Sequence, residues 1–246
     1  MYIIDATART SFIGGLRFRY ARALPTKSIA NRDDIMFAAT HLYAYGTPFA
    51  NRGKGKQPHY TPADIPHLET VLEVFVDMVW QYFNDKPNTM NTQANFDSFH
   101  EKLCDEFVEA FRDDGVYVHT YGNAQKMVNI LFKYLTCFSD YVKYADLFSY
   151  CHIPIDGIIL GRLALDYHVP GTKGTLSKGY YHGTYGGEVW SKMDKVEYMS
   201  LLKEYRATLT AVKGSNSWLG LEYAIWSGAP IPTGGVHAPV IHMFYM

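Results

Sequence analysis

A lysine and an aspartate in this chain have the side chains that nucleophilic chemistry at carbon needs. Lys126 lies in YGNAQKMVNILFKYL, residues 121–135, soon after Gly122, and Asp156 follows a Pro-Ile pair in HIPIDGIIL. An amine attacks carbon only without its proton, and the positive end of a helix together with partial burial favours that neutral form. The same helix end favours an ionised aspartate. The pattern predicts an amine nucleophile opposite an anion, although a solvated lysine and a helix-capping aspartate are the ordinary alternative.

Apolar residues at helical spacing predict the elements that position this pair. Helices are predicted over residues 31–46, with Asn31 as N-cap and Gly46 as the end, and over 61–83, with Thr61 as N-cap. Two more are predicted over 92–115 and 121–138, and a shorter one over 140–149. Pro154 forces an extended or turn conformation on Ile153 in the CHIPID segment, and a helix begins again with Asp156 as its N-cap or in its first turn.

The remainder of the chain is predicted from its glycines, prolines and aromatic residues. Residues 168–188 read as a long Gly-rich loop, followed by a helix over 189–213, a short helix within 216–228 and an extended tail. Strand signal is sparse, so the predicted class is mainly α. We expect one globular unit over 1–246, with a helical core over 62–165 and a second helical lobe from 1–61 plus 189–246.

Composition limits the classes of function. The chain has 246 residues, 48% of them hydrophobic, which predicts a globular rather than a disordered protein. It contains no apolar run of roughly 20 residues and no clear secretory leader, so an intracellular, cytoplasmic protein is expected rather than a membrane one. Its net charge is −1. Nucleic-acid binding would then have to use a local basic patch. Cys104, Cys137 and Cys151 have no metal-motif spacing, and His100 with Cys104 supplies too few ligands, so no metal and no cofactor are expected.

Two segments carry a resemblance to a known family. TYGNAQKMVNIL and HIPIDGII resemble the helix-hairpin-helix (HhH-GPD) base-excision DNA glycosylases, in particular the lysine-bearing branch that includes the 8-oxoguanine glycosylases, with the longer connection of the archaeal type. Residues 115–165 match well, and LGLEYAIWSG within 217–228 matches loosely. The chain departs from the family hairpin at Asn123, where an apolar residue is usual, and at Ala124, where a second glycine is usual.

The resemblance implies a fold, a reaction and a set of site residues. It implies a two-lobed helical bundle with little β and a degenerate helix-hairpin-helix motif, and a DNA glycosylase with AP-lyase activity. Lys126 would attack the sugar C1′ and form a Schiff base, while Asp156 stabilises the sugar cation, after the base, whether oxidised, alkylated or otherwise modified, has flipped out of the duplex. DNA is the implied partner of a monomer that would be nucleoid-associated when bound.

The remaining predicted site residues would contact DNA outside the reacting atoms. The expected phosphate contacts are Gly122, Asn123, Ala124, His152, Lys173 and Lys178, with His182 beside them. For His152 a local hydrogen bond is the alternative, and for the three loop residues a merely mobile loop. The expected base pocket is aromatic and draws on Phe148, Tyr180, Tyr181, Trp218 and Trp226, although aromatic residues at such spacings are more often core residues. Lys133 is interpreted as structural or phosphate-facing.

Two other functions fit the same sequence. One is a DNA-binding helical protein without catalysis. The other is an all-helical protein-interaction or toxin-like module, in which Lys126 and Asp156 form an ordinary ion pair. Placement of the two side chains in one concave, solvent-reachable cleft favours the enzyme, as does a Gly122 turn at its rim, whereas placement on opposite faces excludes it.

Overall fold

The computed structural model of the chain describes residues 9, 10, 12, 13, 19–45, 61–85, 92–114, 119–211, 219 and 222. It is mainly α, as predicted. Its α-helices are α1 (Arg32–Tyr45), α2 (Ile65–Val71), α3 (Glu73–Asn84), α4 (Gln93–Asp114), α5 (Tyr121–Leu135), α6 (Ala145–Phe148), α7 (Gly157–Leu165) and α8 (Lys195–Ala211). Short 3-10 helices span Arg19–Thr26, Pro62–Asp64, Tyr141–Tyr144 and Trp190–Lys192, and two strands, β1 (Thr172–Ser177) and β2 (Tyr180–Tyr185), form an antiparallel hairpin.

The predicted starts at Asn31 and Thr61 are confirmed by the caps there. The Asn31 side chain accepts the N–H of Asp33 at 3.0 Å at the start of α1. Thr61 and Asp64 form a reciprocal capping box. The helix predicted over 61–83 is interrupted, however, because Leu72 leaves helical geometry (φ −94, ψ 8) between α2 and α3. Gly46 lies outside the described residues.

Residues 172–185 correct the predicted Gly-rich loop. They form a hairpin with a two-residue turn, in which Lys178 (φ 51) and Gly179 (φ 80) both take left-handed backbone conformations. Two such residues give a turn whose twist matches that of paired strands. Thr and Tyr, which favour strands, flank the turn, and this is the signal that could have predicted it.

The hairpin packs on α7 through glycines. A Cβ on Gly183 would overlap the backbone N of Gly161, and a Cβ on Gly161 would lie 2.8 Å from Cβ of Tyr181. The strand backbone therefore rests directly on the backbone of α7, the helix that Asp156 begins.

The core surrounds α5. Between Tyr121 and Leu135 every residue except Ile130 is buried, against α1, α4, α8 and the Trp190–Lys192 turn. The largest fully buried side chains are mostly aromatic and include Phe75, Phe96, Phe107 and Phe132. Burying one such ring stabilises the fold by about 1.5–3 kcal/mol. Helix α1, which was assigned to the second lobe, packs on α3 and α5 of the 62–165 core. The division into two lobes stays a prediction.

The C-terminal third is only partly described. The helix predicted over 189–213 begins at Lys195, because Asp194 and Glu197 cap it reciprocally at 2.9 Å, and a 3-10 turn precedes it. Leu219 and Glu222 are helical, and the rest of the 216–228 helix and the tail lie outside the described residues. No helix in the described ranges has the length and apolar character needed to cross a bilayer.

Candidate active site

Folding brings the two predicted reactive residues together. Nζ of Lys126 lies 3.1 Å from Oδ2 of Asp156, and each residue is 7% exposed. Lys126 projects from the second turn of α5, and Asp156 caps α7. The amine and the carboxylate therefore share one nearly dry site.

Asp156 is held in place and kept ionised by its surroundings. Its Oδ1 accepts the N–H groups of Ile158 and Ile159, both at 2.9 Å, so that Oδ2 alone faces the amine. Burial by itself opposes ionisation, but the Lys126 ammonium and the two N–H groups outweigh it and place the pKa of Asp156 below its usual value. The site thus contains a permanent anion at neutral pH.

Trp190 covers the amine. Its ring centroid lies 4.5 Å from Nζ of Lys126, a distance at which a cation and an indole attract each other. The indole is carried by residues 189–194, which dock on the start of α5: Gly122 donates its N–H to the Met193 carbonyl at 2.9 Å, and the Thr120 hydroxyl donates to the Ser191 carbonyl at 2.6 Å. The sequence gives no local signal for this contact, and Trp190 was not among the predicted site residues.

The start of α5 differs from the predicted phosphate-binding turn. Thr120 is the N-cap, and Gly122 lies inside the first helical turn. The N–H of Asn123 bonds to the Thr120 hydroxyl at 3.1 Å and that of Ala124 to the Thr120 carbonyl at 3.0 Å. Gly122, Asn123 and Ala124 are buried with their N–H groups bonded inside the chain, so they face no phosphate as they stand.

His152 is also buried, which corrects its predicted contact with phosphate. Nε2 lies 2.8 Å from Oδ1 of Asp97, and Nδ1 lies 3.0 Å from the hydroxyl of Tyr198. Arg206 holds Asp97 through two bonds of 2.5 and 2.6 Å. Desolvation lowers the pKa of His152 against the opposing effect of Asp97. His152 therefore belongs to a buried polar cluster that joins α4, α8 and the CHIPID segment.

The predicted hairpin contacts are on the surface. Lys173, Lys178 and His182 are exposed, and they lie in a stretch from 167 to 187 that contains no Asp or Glu. Tyr180 is 46% exposed next to the turn, whereas Tyr181 is buried against α7, where Arg162 lies 4.7 Å from its ring centroid. The hairpin therefore presents a basic outer face with one exposed aromatic ring.

The other predicted pocket residues do not line this site. Phe148 is 1% exposed and packs in the core, with its ring centroid 4.9 Å from that of Phe83, so it is a core residue. Trp218 and Trp226 lie outside the described residues.

Lys133 has a buried partner of its own. Its Nζ lies 2.8 Å from Glu222 and 4.2 Å from the ring centroid of Phe12, and burial lowers its pKa despite the attraction of Glu222. α5 thus carries two buried lysine–carboxylate pairs, of which only the Lys126 pair lies at a helix start beneath an indole.

Metal-binding side chains do not cluster in the part of the chain that the structure describes. No group of three or more His, Cys, Asp or Glu residues with suitable geometry is found there. Nε2 of His100 is engaged by Asn129 at 2.9 Å, and the three cysteines are buried and unpaired with one another.

Comparison with known proteins finds no match. No protein-family model, no curated protein and no solved structure matches the chain. Its function is therefore inferred from the geometry of its own residues.

Proposed function

We propose that the chain is a DNA glycosylase with associated AP-lyase activity. The observation that carries the proposal is the pairing of Lys126 with Asp156 at 3.1 Å in a site where each residue is 7% exposed. An amine beside a permanent anion is the pair of groups needed to replace a base on a sugar carbon and to stabilise the cation formed meanwhile.

Asp156 acts as the fixed anion. Its Oδ1 is committed to the N–H groups of Ile158 and Ile159, and its Oδ2 faces the amine. A sugar cation that develops beside Oδ2 is stabilised without rearrangement of the carboxylate, because the helix start already holds it.

Lys126 acts as the nucleophile, and the atoms balance within the pair and the substrate. The bond between C1′ and the base nitrogen breaks, and its electron pair leaves with the base, which takes the proton that Lys126 releases. The neutral amine then bonds to C1′, the ring oxygen takes a second amine proton as the sugar ring opens, and a protonated Schiff base results. Water then takes a C2′ proton, a double bond forms between C2′ and C3′, and the C3′–O bond breaks with its electron pair on the departing phosphate, which nicks the strand.

Access of the nucleotide requires movement of Trp190. The indole lies over the amine, so a flipped sugar reaches Lys126 only when residues 189–194 shift or the ring rotates away. Flipping a nucleotide out of a duplex costs a few kcal/mol, and enzymes commonly couple such steps to loop movement.

The hairpin supplies the phosphate contacts. Lys173 and Lys178 extend from a stretch without carboxylates, on a chain whose net charge is −1, so this face is the local basic patch that nucleic-acid binding needs. Tyr180, exposed beside the turn, offers a face for stacking on a base.

The low exposure of the pair also favours a second candidate. A DNA-binding helical protein without catalysis would keep Lys126 and Asp156 as a structural ion pair, as it would Lys133 and Glu222. In that protein the hairpin would still bind DNA, and the amine would never reach a sugar.

Borohydride trapping separates the two candidates. Duplexes that carry oxidised, alkylated or abasic sites are incubated with the wild type, Lys126→Ala, Asp156→Asn and Lys133→Ala. We expect a covalent adduct with the wild type and with Lys133→Ala, which loses a matched buried pair on the same helix, and no adduct with Lys126→Ala. An adduct that persists in Lys126→Ala contradicts the enzyme. The absence of an adduct between the wild type and every substrate also contradicts it.

A further inference from the structure

Two amide side chains on α5 bind the backbone of the segment that carries Asp156. Gln125 donates from Nε2 to the carbonyl oxygen of Ile155 at 2.7 Å, and its Oε1 accepts the Ile155 N–H at 3.1 Å. One turn later, Asn129 donates from Nδ2 to the carbonyl oxygen of Ile153 at 3.1 Å. Both amides are fully buried.

These amides take the place of a neighbouring strand. Residues 151–156 belong to no strand or helix, and Pro154 has no N–H to donate. Buried backbone groups need partners, and Gln125 satisfies both the donor and the acceptor of Ile155. A side-chain amide can do this, since its NH₂ group donates and its carbonyl oxygen accepts side by side; Nε2 of Gln125 also donates to the Gly122 carbonyl at 2.9 Å.

The spacing of the two contacts matches the geometry of the two elements. The four residues from Gln125 to Asn129 rise about 6 Å along a helix, and the two residues from Ile153 to Ile155 advance about 6.6 Å along an extended chain. Gln125 and Asn129 therefore bond to alternate residues of the segment. A slip of one residue would turn Asp156 to the opposite side.

We propose that Gln125 is the positioning residue that sets the register of this segment, so that Asp156 faces Lys126. Gln125 faces Ile155, and the next residue on each element forms the reactive pair. The catalytic half of this proposal rests on the proposed function; the pairing of Lys126 with Asp156 through Gln125 does not.

The first test measures the rate of adduct formation and the affinity for DNA separately. Gln125→Leu removes both bonds to Ile155 while keeping a similar volume, and we expect adduct formation at saturating DNA to slow about 100-fold, because small misplacements of reacting groups have that effect. The Kd for DNA is expected to stay unchanged. Asn84→Leu is the matched control. Asn84 lies at the end of α3, and its amide donates to the Ile29 carbonyl at 3.0 Å. Its substitution should change neither the rate nor the Kd.

A second variant gives a signature that a general loss of stability would not. Gln125→Glu lacks the donor to Ile155 when ionised and regains it as a protonated acid. The rate of Gln125→Glu relative to the wild type should therefore rise about tenfold or more as the pH falls from about 8 to about 5.5. A constant ratio would contradict the proposal.

A thermodynamic cycle on stability separates failure of this proposal from failure of the proposed function. Asp156→Asn lowers the unfolding midpoint because Lys126 loses its anion. In the Gln125→Leu background the same substitution should lower the midpoint by roughly half as much or less, whereas the Asn84→Leu background should show the full loss. Equal losses in all backgrounds overturn the role of Gln125 even if the wild type traps DNA. Coupling without any trapping supports that role and overturns the proposed function alone.

Discussion

The carbonyl oxygen of Trp190 occupies the space into which a side chain on Gly122 would point. A Cβ at residue 122 would overlap that oxygen and press on the backbone of Ser191. Gly122 is thus required by the chain that crosses it and carries the indole over Lys126. The glycine that resembles a hairpin turn in the sequence serves a tertiary contact in the fold.

Substitution of Gly122 should therefore displace residues 189–194. We expect Gly122→Ala to lower the free energy of unfolding by about 1–3 kcal/mol, the usual effect of an added methyl group in a filled space. Gly157→Ala is the control, since its Cβ would meet Cδ1 of Trp190 at 3.8 Å, an ordinary contact. Denaturant unfolding measures both, and equal losses would contradict the stated role of Gly122.

Removal of the indole should expose the amine. In Trp190→Ala, we expect Lys126 to react with a small aldehyde and borohydride roughly tenfold faster than in the wild type. In the wild type the amine reacts only when the segment that carries the indole moves away, and the variant does not need that movement. Peptide mass spectrometry locates the modified lysine.

The control for this variant is Trp80→Ala. Trp80 is a partly buried indole on α3 that donates to the Ala30 carbonyl at 3.0 Å. Its removal should leave labelling of Lys126 unchanged. Unchanged labelling in Trp190→Ala as well would show that the indole does not limit access.

The hairpin lysines should set the salt dependence of DNA binding. For the double variant Lys173→Gln and Lys178→Gln, we expect the slope of log K against log salt to fall in magnitude by about 1.8, because each phosphate contact contributes about 0.9. Lys102→Gln with Lys143→Gln removes the same charge from exposed positions elsewhere and should leave the slope unchanged. Identical slopes for the two double variants would remove the hairpin from the interface.

Stability should fall in mild acid because His152 is buried in its neutral form. Around its ring lie Asp97, Arg206, the Tyr198 hydroxyl and the ring of His100, with desolvation lowering the pKa. An unfolded histidine binds a proton near pH 6.5, while folded His152 does not, so stability is lost as the pH falls below about 6.5 toward the folded pKa, by up to about 1.4 kcal/mol per pH unit.

Substitution of this histidine should flatten that dependence. We expect His152→Gln to lose less stability than the wild type between about pH 7.5 and about pH 5.5 in denaturant unfolding. His182→Gln removes an exposed imidazole from β2 and serves as the control. A dependence as steep as that of the wild type would indicate that His152 is already protonated in the folded state.

Local chemistry made part of this structure predictable. Asn31, Thr61 and Asp156 each begin a helix because their side chains bond to the next free N–H groups, an interaction confined to a few neighbouring residues. The meeting of Lys126 with Asp156 was expected mainly because their two segments resemble those of one family, and less because of the helix start near each residue.

Contacts between distant segments were harder to predict. Trp190 reaches Lys126 through a chain crossing at Gly122, and Gln125 reaches Ile155 across the core; neither leaves a pattern in the neighbouring sequence. His152 was predicted to contact phosphate or to form a local hydrogen bond, but its partner Asp97 and the Arg206 that holds Asp97 come from two distant helices. The hairpin was assigned to a loop because its glycines, which allow it to lie on α7, also resemble loop residues.

The seam between Gly161 and Gly183 has a mechanical consequence. At these two glycines no side chain separates the hairpin from α7, and tightly packed interiors transmit strain instead of absorbing it. We therefore expect a displacement of the outer strands to shift α7, and with it the carboxylate of Asp156 at the start of that helix.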